Sequence, residues 1–434
     1  MSFSDLGLSQ PVLQALAFKS YDSPTPIQRD AIPTLLQGRD LLGIAQTGTG
    51  KTAAFMLPSI DRLVASGRAL RPHTCRMLVL APTRELAGQI ADSARSYGQF
   101  AGLKVATVSG GTSINMNRRD VSRGVDVLVA TPGRLIDLVE QRALSLREVE
   151  ILVLDEADQM LDLGFIHALK QIVKMLPTQR QTLFFSATMP PAIRQLADKF
   201  LTDPAEVRVA PAATTAERVD QFVSFCRQDE KQALLTIMLR VGFGDRGNMD
   251  RVLIFTRTKH GADLVVKLLA GNGIASAAIH GNKSQPQREK ALAAFRSGDV
   301  KIMIATDIAA RGIDVSGVSH VINFELPNVP EQYVHRIGRT ARAGAAGVAV
   351  SFCAEDERPY LKDIEKLTRQ KIDVAPLPAN FNQEANRIKA TRKNVAVDTS
   401  GERRWEPRAP RRGEVGRHAG AVKPAGRSRQ RARG

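Results

Sequence analysis

Short apolar runs, each closing on a polar or turn residue, alternate with amphipathic stretches throughout residues 1–370. In the first half they are MLVLAP (77–82), VDVLVATP (125–132), ILVLDEAD (151–158) and TLFFSAT (182–188). In the second half they are VLIFTRT (252–258), IMIATD (302–307) and VINFELP (321–327). Their length and β-rich composition predict strands, and the intervening segments, such as 84–96 and 260–269, read as helices. Strands alternating with helices predict an α/β fold whose parallel sheet is covered on both faces. In such sheets ligands sit beyond the carboxyl ends of the strands, so the polar strand endings are where chemistry is expected.

The chain has 434 residues, more than one ordinary domain requires. The small, polar, Pro-containing segment VAPAATTAER (209–218) suits a connection between lobes. The expected organisation is a first lobe over 1–208, a linker over 209–217, a second lobe over 218–375 and a disordered basic tail over 376–434. The tail is rich in Arg, Gly, Ala and Pro, has the single aromatic Trp405 after residue 400, and lacks the apolar content to offset the entropy of ordering. The net charge of +17 implies a polyanionic partner. Residues 380–434 hold 15 Lys and Arg against 5 Asp and Glu, a net of +10, which leaves +7 for the rest. Three widely spaced cysteines argue against a local zinc site and a disulfide scaffold. No basic-then-apolar leader opens the chain and no apolar run approaches the ~18 residues of a membrane span, so a cytoplasmic location is expected.

Residues 45–52, AQTGTGKT, follow the apolar strand LLGIA and open a helix, the context a phosphate-binding loop requires. Ala45, Gln46, Thr47, Gly48, Thr49 and Gly50 form the cradle. The glycines let backbone N–H groups face a phosphate, and the helix N-terminus adds to that anion site. Lys51 is expected to reach the β/γ-phosphates and Thr52 to ligate Mg²⁺. Ala45 replaces the usual first glycine. ILVLDEAD delivers Asp155 for Mg²⁺ and Glu156 to orient and deprotonate the attacking water. These features make a nucleoside triphosphatase.

HRIGRTAR (335–342) places His335, Arg336, Arg339 and Arg342 beyond the linker. A guanidinium brought to a γ-phosphate stabilises the transition state by about 10³–10⁵ in rate. From the far lobe it can do so only when the lobes close, which would couple hydrolysis to closure. ATDIAARGID (305–314) adds Asp307, Arg311 and Asp314, the last a candidate for the ribose or for positioning an arginine.

With the tetrapeptide DEAD at 155–158, the chain resembles the DEAD-box RNA helicases through nearly all of residues 3–352. SPTPIQ (23–28), with Tyr21 before it and Phe3 farther upstream, resembles the family's adenine-recognition motif. The Gln28 amide can pair with the adenine edge and an aromatic can stack on the ring. Ser20 and Ala341 stand where the family commonly has glycine. The resemblance implies RNA contacts in the first lobe from Arg84 in PTREL (82–86), from Gly110 and Gly111, and from Thr131, Gly133 and Arg134 in TPGR (131–134). SAT (186–188), with Ser186 and Thr188, resembles the motif linking ATP binding to strand separation. In the second lobe Arg257, Gln285, Arg288, Thr306 and Asp307 would complete the groove. Two tandem RecA-like domains, ATP and Mg²⁺ as cofactors, and backbone-directed, sequence-blind RNA binding by a monomer follow from the resemblance. So does local unwinding of short duplexes or remodelling of RNA–protein complexes, with ribosome-assembly or RNA-decay complexes as partners. The uninterrupted core and basic tail resemble the bacterial RhlE-type members. A DNA-directed translocase on the same fold and an RNA clamp timed by slow hydrolysis remain alternative readings.

Overall fold

A computed structural model describes residues 1–46, 48–209, 219–243, 249–310, 315, 317–340 and 347–387. Its first sheet contains β1 (Leu41–Ile44), β2 (Cys75–Leu80), β3 (Val105–Val108), β4 (Val125–Ala130), β5 (Ile151–Leu154), β6 (Gln181–Ser186) and β7 (Ala205–Arg208), in the order β3-β4-β2-β5-β6-β1-β7. The second contains β8 (Val219–Phe225), β9 (Val252–Thr256), β10 (Ala277–Ile279), β11 (Ile302–Thr306), β12 (His320–Asn323), β13 (Gly347–Cys353) and β14 (Asp373–Val374), in the order β10-β11-β9-β12-β13-β8-β14. Counting β8 as the first strand of its own lobe turns the second order into the first. The chain folds one topology twice. Every pairing is parallel.

The seven quoted runs coincide with β2, β4, β5, β6, β9, β11 and β12. Along β5 the pleat sends Ile151 and Val153 to one core with Phe55 and Phe185, and Leu152 and Leu154 to the other with Leu135 and Phe184. This double burial is why the strand is apolar at every position instead of at every second one. Truncating one such leucine to alanine costs about 2–5 kcal/mol. Close packing also sets Gly43 on β1, where a Cβ would lie 2.5 Å from the Phe185 ring.

The expected boundary at residue 375 needs correction. Residues 381–387 are helical, and Phe381 and Ala385 are buried with Phe222, Leu235 and Ile254 in a core of the second lobe. Phe381 is the apolar anchor that extends packing past the point where strand–helix alternation ends. The predicted linker, apart from Val209, and residues 388–434 with Trp405 lie outside the described residues. Among those described, no helix is long and apolar enough to cross a membrane.

Candidate nucleotide and RNA site

From β1 the chain turns through Ala45, Gln46, Gly48, Thr49 and Gly50 into the helix Lys51–Ser66, and Thr47 lies outside the described residues. Gly48 and Gly50 have φ of 85° and 92°, the left-handed region that glycine enters without a Cβ penalty. A side chain at Gly50 would also run into the Gln28 amide. That amide is wired into the loop: Oε1 accepts the Thr25 N–H at 2.9 Å and Nε2 donates to the Gly50 carbonyl at 3.1 Å. Gln28 therefore braces the P-loop, while one N–H and one lone pair of the amide remain for a base edge. Ala45, 2% exposed, fills the first-glycine position without disturbing the turn. The Thr49 hydroxyl donates to the Gln46 carbonyl at 2.8 Å. Lys51 is buried and its Nζ donates to the Ala45 carbonyl at 3.0 Å, folding the ammonium back over the loop. Thr52 follows it, half-buried, in the first helical turn.

β5 delivers Asp155 and Glu156, each 2% exposed. Glu156 has φ 55° and ψ 52°, a left-handed backbone for a residue with a side chain. Strain of this kind costs about 1–3 kcal/mol and collects at functional sites. Burial pushes the Asp155 carboxyl up to about 6; Glu156 and Asp158 push the same way, and the Lys51 ammonium opposes them. Asp155 Oδ1 is buried with no hydrogen-bond partner among the described residues. A buried anionic oxygen lacking a donor is the environment a hard divalent cation satisfies, so the residues present fit Mg²⁺.

Asp158 is the residue the sequence reading left without a role. Its Oδ2 accepts from the Ala187 N–H at 3.2 Å and from the Thr188 N–H and hydroxyl at 2.9 Å each. The Ser186 hydroxyl donates to the Thr188 carbonyl at 2.7 Å. Thr188, expected with Ser186 among the catalytic groups, thus joins the loop after β6 to the acidic turn, and Ser186 fixes that loop internally. The signal for Asp158 was available: a helix entered at Glu156 puts it in the first turn, facing the neighbouring strand end.

The second lobe contributes the helix Pro330–Ile337 and the turn after it. His335, Gly338 and Arg339 line a cleft of about 220 Å³ together with Gln46, Ala187 and Thr188 of the first lobe. Arg342 and Asp314 lie outside the described residues, as do Arg311 and Ala341. Arg336 is 1% exposed and is structural. Its Nε and Nη2 grip Asp307 Oδ1 and Oδ2 at 2.5 and 2.8 Å, Nη1 donates to Asn323 and to the Glu325 carbonyl, and its guanidinium lies over Phe255. Asp307, expected to touch RNA, has both carboxylate oxygens bonded to Arg336. Spacing alone could not reveal that partnership.

On the RNA side, Gly111 has φ 85°, and side chains at Gly110 or Gly111 would press on the Arg84 guanidinium. A Cβ on Gly111 would also lie 3.3 Å from Gln285 Cβ, so the two lobes meet here. Arg288 Nη2 stands 2.9 Å from Glu85 Oε1 across that junction, with side chains 12% and 5% exposed. Burial, Arg288 and Arg134 lower the Arg84 pKa, and Glu85 opposes them. Arg134 Nη1 donates to the Thr112 carbonyl and to Asn117 Oδ1, both at 2.8 Å. Thr131 stands at the N-terminal boundary of the helix Pro132–Glu140 without a side-chain capping bond, Gly133 faces open space in its first turn, and Thr306 ends β11. The Arg257 guanidinium bonds Glu357 at 3.1 Å and Asn328 at 3.4 Å, and lies over Tyr360. Glu357 is fully buried and also binds Lys231, so Arg257 is anchored to a buried ion-pair network while 26% of its side chain stays exposed. Phe3 is 4% exposed and packs in the first core; Tyr21 is exposed and tilts against Tyr97. Ser20, with φ 55°, occupies a left-handed turn that suits glycine.

Two RecA-like lobes, one with a P-loop and a buried acid pair, the other placing an arginine on the same cleft, define a two-lobed P-loop nucleoside triphosphatase. Residues 25–196 match the family described as DEAD/DEAH box helicase, and residues 229–344 match the helicase conserved C-terminal domain. The chain is 41% identical over 385 residues to the ATP-dependent RNA helicase CshA of Limosilactobacillus reuteri, covering 89% of this chain and 75% of that protein. It is 42% identical over 406 residues to the RNA helicase CrhR of Synechocystis, covering 93% and 80%. The fold is similar to that of S. cerevisiae Dbp5 bound to RNA and ADP BeF3, with a TM-score of 0.78 and 29% identity over 90% of this chain and 99% of that one. The chain belongs to the DEAD-box family, and it is an ATP-dependent RNA helicase.

Proposed function

We propose that this helicase clamps a single RNA strand between its lobes and couples ATP hydrolysis in the cleft to local unwinding of short duplexes or to remodelling of RNA–protein complexes. The observation that carries this division of labour is the shared cleft: Gln46 and Thr188 from one lobe face His335 and Arg339 from the other. Backbone N–H groups of the P-loop and Lys51 bind the phosphates, and Gln28 and Tyr21 contact the adenine. Glu156, held in its strained turn, takes the proton of the attacking water. Arg339, with Arg342, offsets charge developing on the γ-phosphate, and Asp314 positions the ribose or an arginine. Thr52 and Asp155 would hold Mg²⁺, which when bound supplies charge neutralisation at the β- and γ-oxygens. Arg84, Gly110, Gly111, Thr131, Gly133, Arg134, Gln285, Arg288 and Thr306 line the RNA path through phosphate and sugar contacts, so binding is nearly sequence-blind and salt-dependent.

Nucleotide and RNA each favour the closed lobes, so their binding is cooperative. Purified Glu156→Gln protein should retain both ligands and stall; rapid turnover by it would remove the general-base role. A strand-displacement assay on a short duplex, with ATP and with a non-hydrolysable analogue, separates an unwinder from an ATP-timed clamp.

The basic residues after 387 support a non-specific RNA tether that raises local substrate concentration. A chain ending near 387 that kept full RNA affinity and the same salt slope would rule it out. The RhlE-type subgroup, a monomeric cytoplasmic protein and service in ribosome assembly or RNA decay complete the reading. Crosslinking and sequencing of bound RNA is the experiment that decides the pathway.

A further inference from the structure

Aromatic residues make up 5% of the chain, and among the described residues only three of them are exposed: Phe18, Tyr21 and Phe100. They belong to two ring pairs of the first lobe, Phe18 with Phe100 and Tyr21 with Tyr97, whose members lie three residues apart on each of two chain segments. Phe18 ends the helix Gln10–Phe18, and Phe100 follows the helix Arg84–Tyr97. The two rings meet edge to face, with centroids 6.5 Å apart and planes at 78°, yet remain 74% and 48% exposed. Beside them Tyr21 tilts on Tyr97 with centroids 6.3 Å apart. Lys19 Nζ stands 5.8 and 5.6 Å from those two rings and donates to Ser96 Oγ at 3.0 Å, so a fixed ammonium borders the aromatic surface.

Large rings left in water are unfavourable, and a contiguous exposed aromatic surface marks an interaction site. Rings edged by a cation suit one chemistry in particular: a flat base stacks on the ring while its phosphate meets the ammonium. Position favours the same occupant. Arg84 and Tyr97 are the two ends of one helix, which at 1.5 Å per residue places the patch about 20 Å from the RNA groove along an unbroken element. We propose that Phe18, Phe100 and Lys19 form an accessory platform that stacks unpaired RNA bases flanking the clamped segment, without sequence preference. The proposal rests on reading Arg84 as part of the groove.

The test is the Phe18→Ala/Phe100→Ala double variant, titrated with a fluorescent oligouridine just long enough to saturate the ATPase and with one several times longer. Expected are unchanged affinity and ATPase stimulation with the short oligomer and a loss of at least about fivefold in affinity for the long one, the lower end for a stacked base. Phe18→Tyr/Phe100→Tyr should restore the affinity, and 2-aminopurine in the flanking segment should lose its quenching in the alanine variant. Equal affinity of variant and parent for the long RNA overturns the platform, and is the outcome if the patch docks a protein. Equal loss on both lengths also overturns it. Failure of the groove reading shows separately, as unchanged short-oligomer affinity in Arg84→Ala.

Discussion

Thr188 donates two hydrogen bonds to one oxygen of Asp158, from its backbone N–H and from its hydroxyl, each 2.9 Å long. The bonds join the loop after β6 to the turn after β5, and Thr188 itself lines the cleft that Arg339 enters from the other lobe. A change at the acid pair therefore reaches the lobe junction through one carboxylate. Asp158→Ala leaves the part-buried Ala187 and Thr188 donors without their acceptor, a loss of about 0.5–1.5 kcal/mol per bond, since water can reach them. Strand displacement should fall more than ATP affinity, as measured by unwinding rate and nucleotide titration on the same protein.

Asp155 predicts an acid limit to activity. Burial pushes its carboxyl up to about 6 from the ordinary 3.8. The folded state holds this proton where the unfolded state has lost it. Its contribution to stability is therefore fully present below 3.8 and fades as pH rises through about 6. Only the carboxylate attracts a divalent cation, so kcat/KM should drop as pH falls through about 6. Raising Mg²⁺ should move that limb to lower pH. A pH profile at two Mg²⁺ concentrations checks both.

Arg339→Ala should fold normally and lose RNA-stimulated turnover by about 10³-fold or more, the magnitude of a guanidinium at a transferring phosphoryl group. Single-turnover ATPase with saturating RNA is the measurement. Unchanged stimulation would detach this residue from the chemistry.

Asp307→Ala separates a structural from an RNA-contacting role. It strands Arg336, which is 1% exposed, without its bidentate carboxylate, and breaking such a buried pair from one side costs about 3–5 kcal/mol. The variant should unfold at markedly lower urea, while the salt slope of RNA binding in the native baseline stays that of the parent.

Ser20→Gly should stabilise the protein by up to ~1 kcal/mol, since φ is 55° there and glycine carries no Cβ penalty in that region. The urea midpoint should rise at constant slope.

Where the chemistry depends on local order, it was legible in the chain. The P-loop needs a strand, two glycines and a helix start in immediate succession, and the acid pair needs one buried strand ending in two carboxylates; both were found where the pattern put them. The seven quoted strands were legible for the same reason, since burial on both faces leaves an uninterrupted apolar run. Short strands such as β10 and β14 were not, because they bury little and carry too few residues to show a period.

Which side chain meets which partner was decided only by the tertiary fold. Arg336 and Arg339 stand three residues apart in one arginine-rich segment, yet one is sealed under Phe255 by Asp307 while the other lines the cleft. Arg257 is anchored by Glu357, a residue 100 positions away. Phe381 extended the second lobe by filling its core. Sequence spacing constrains what lies within one turn or one strand end, but a buried charge is matched by whatever the packing brings within ~3 Å, and that distance carries no trace along the chain.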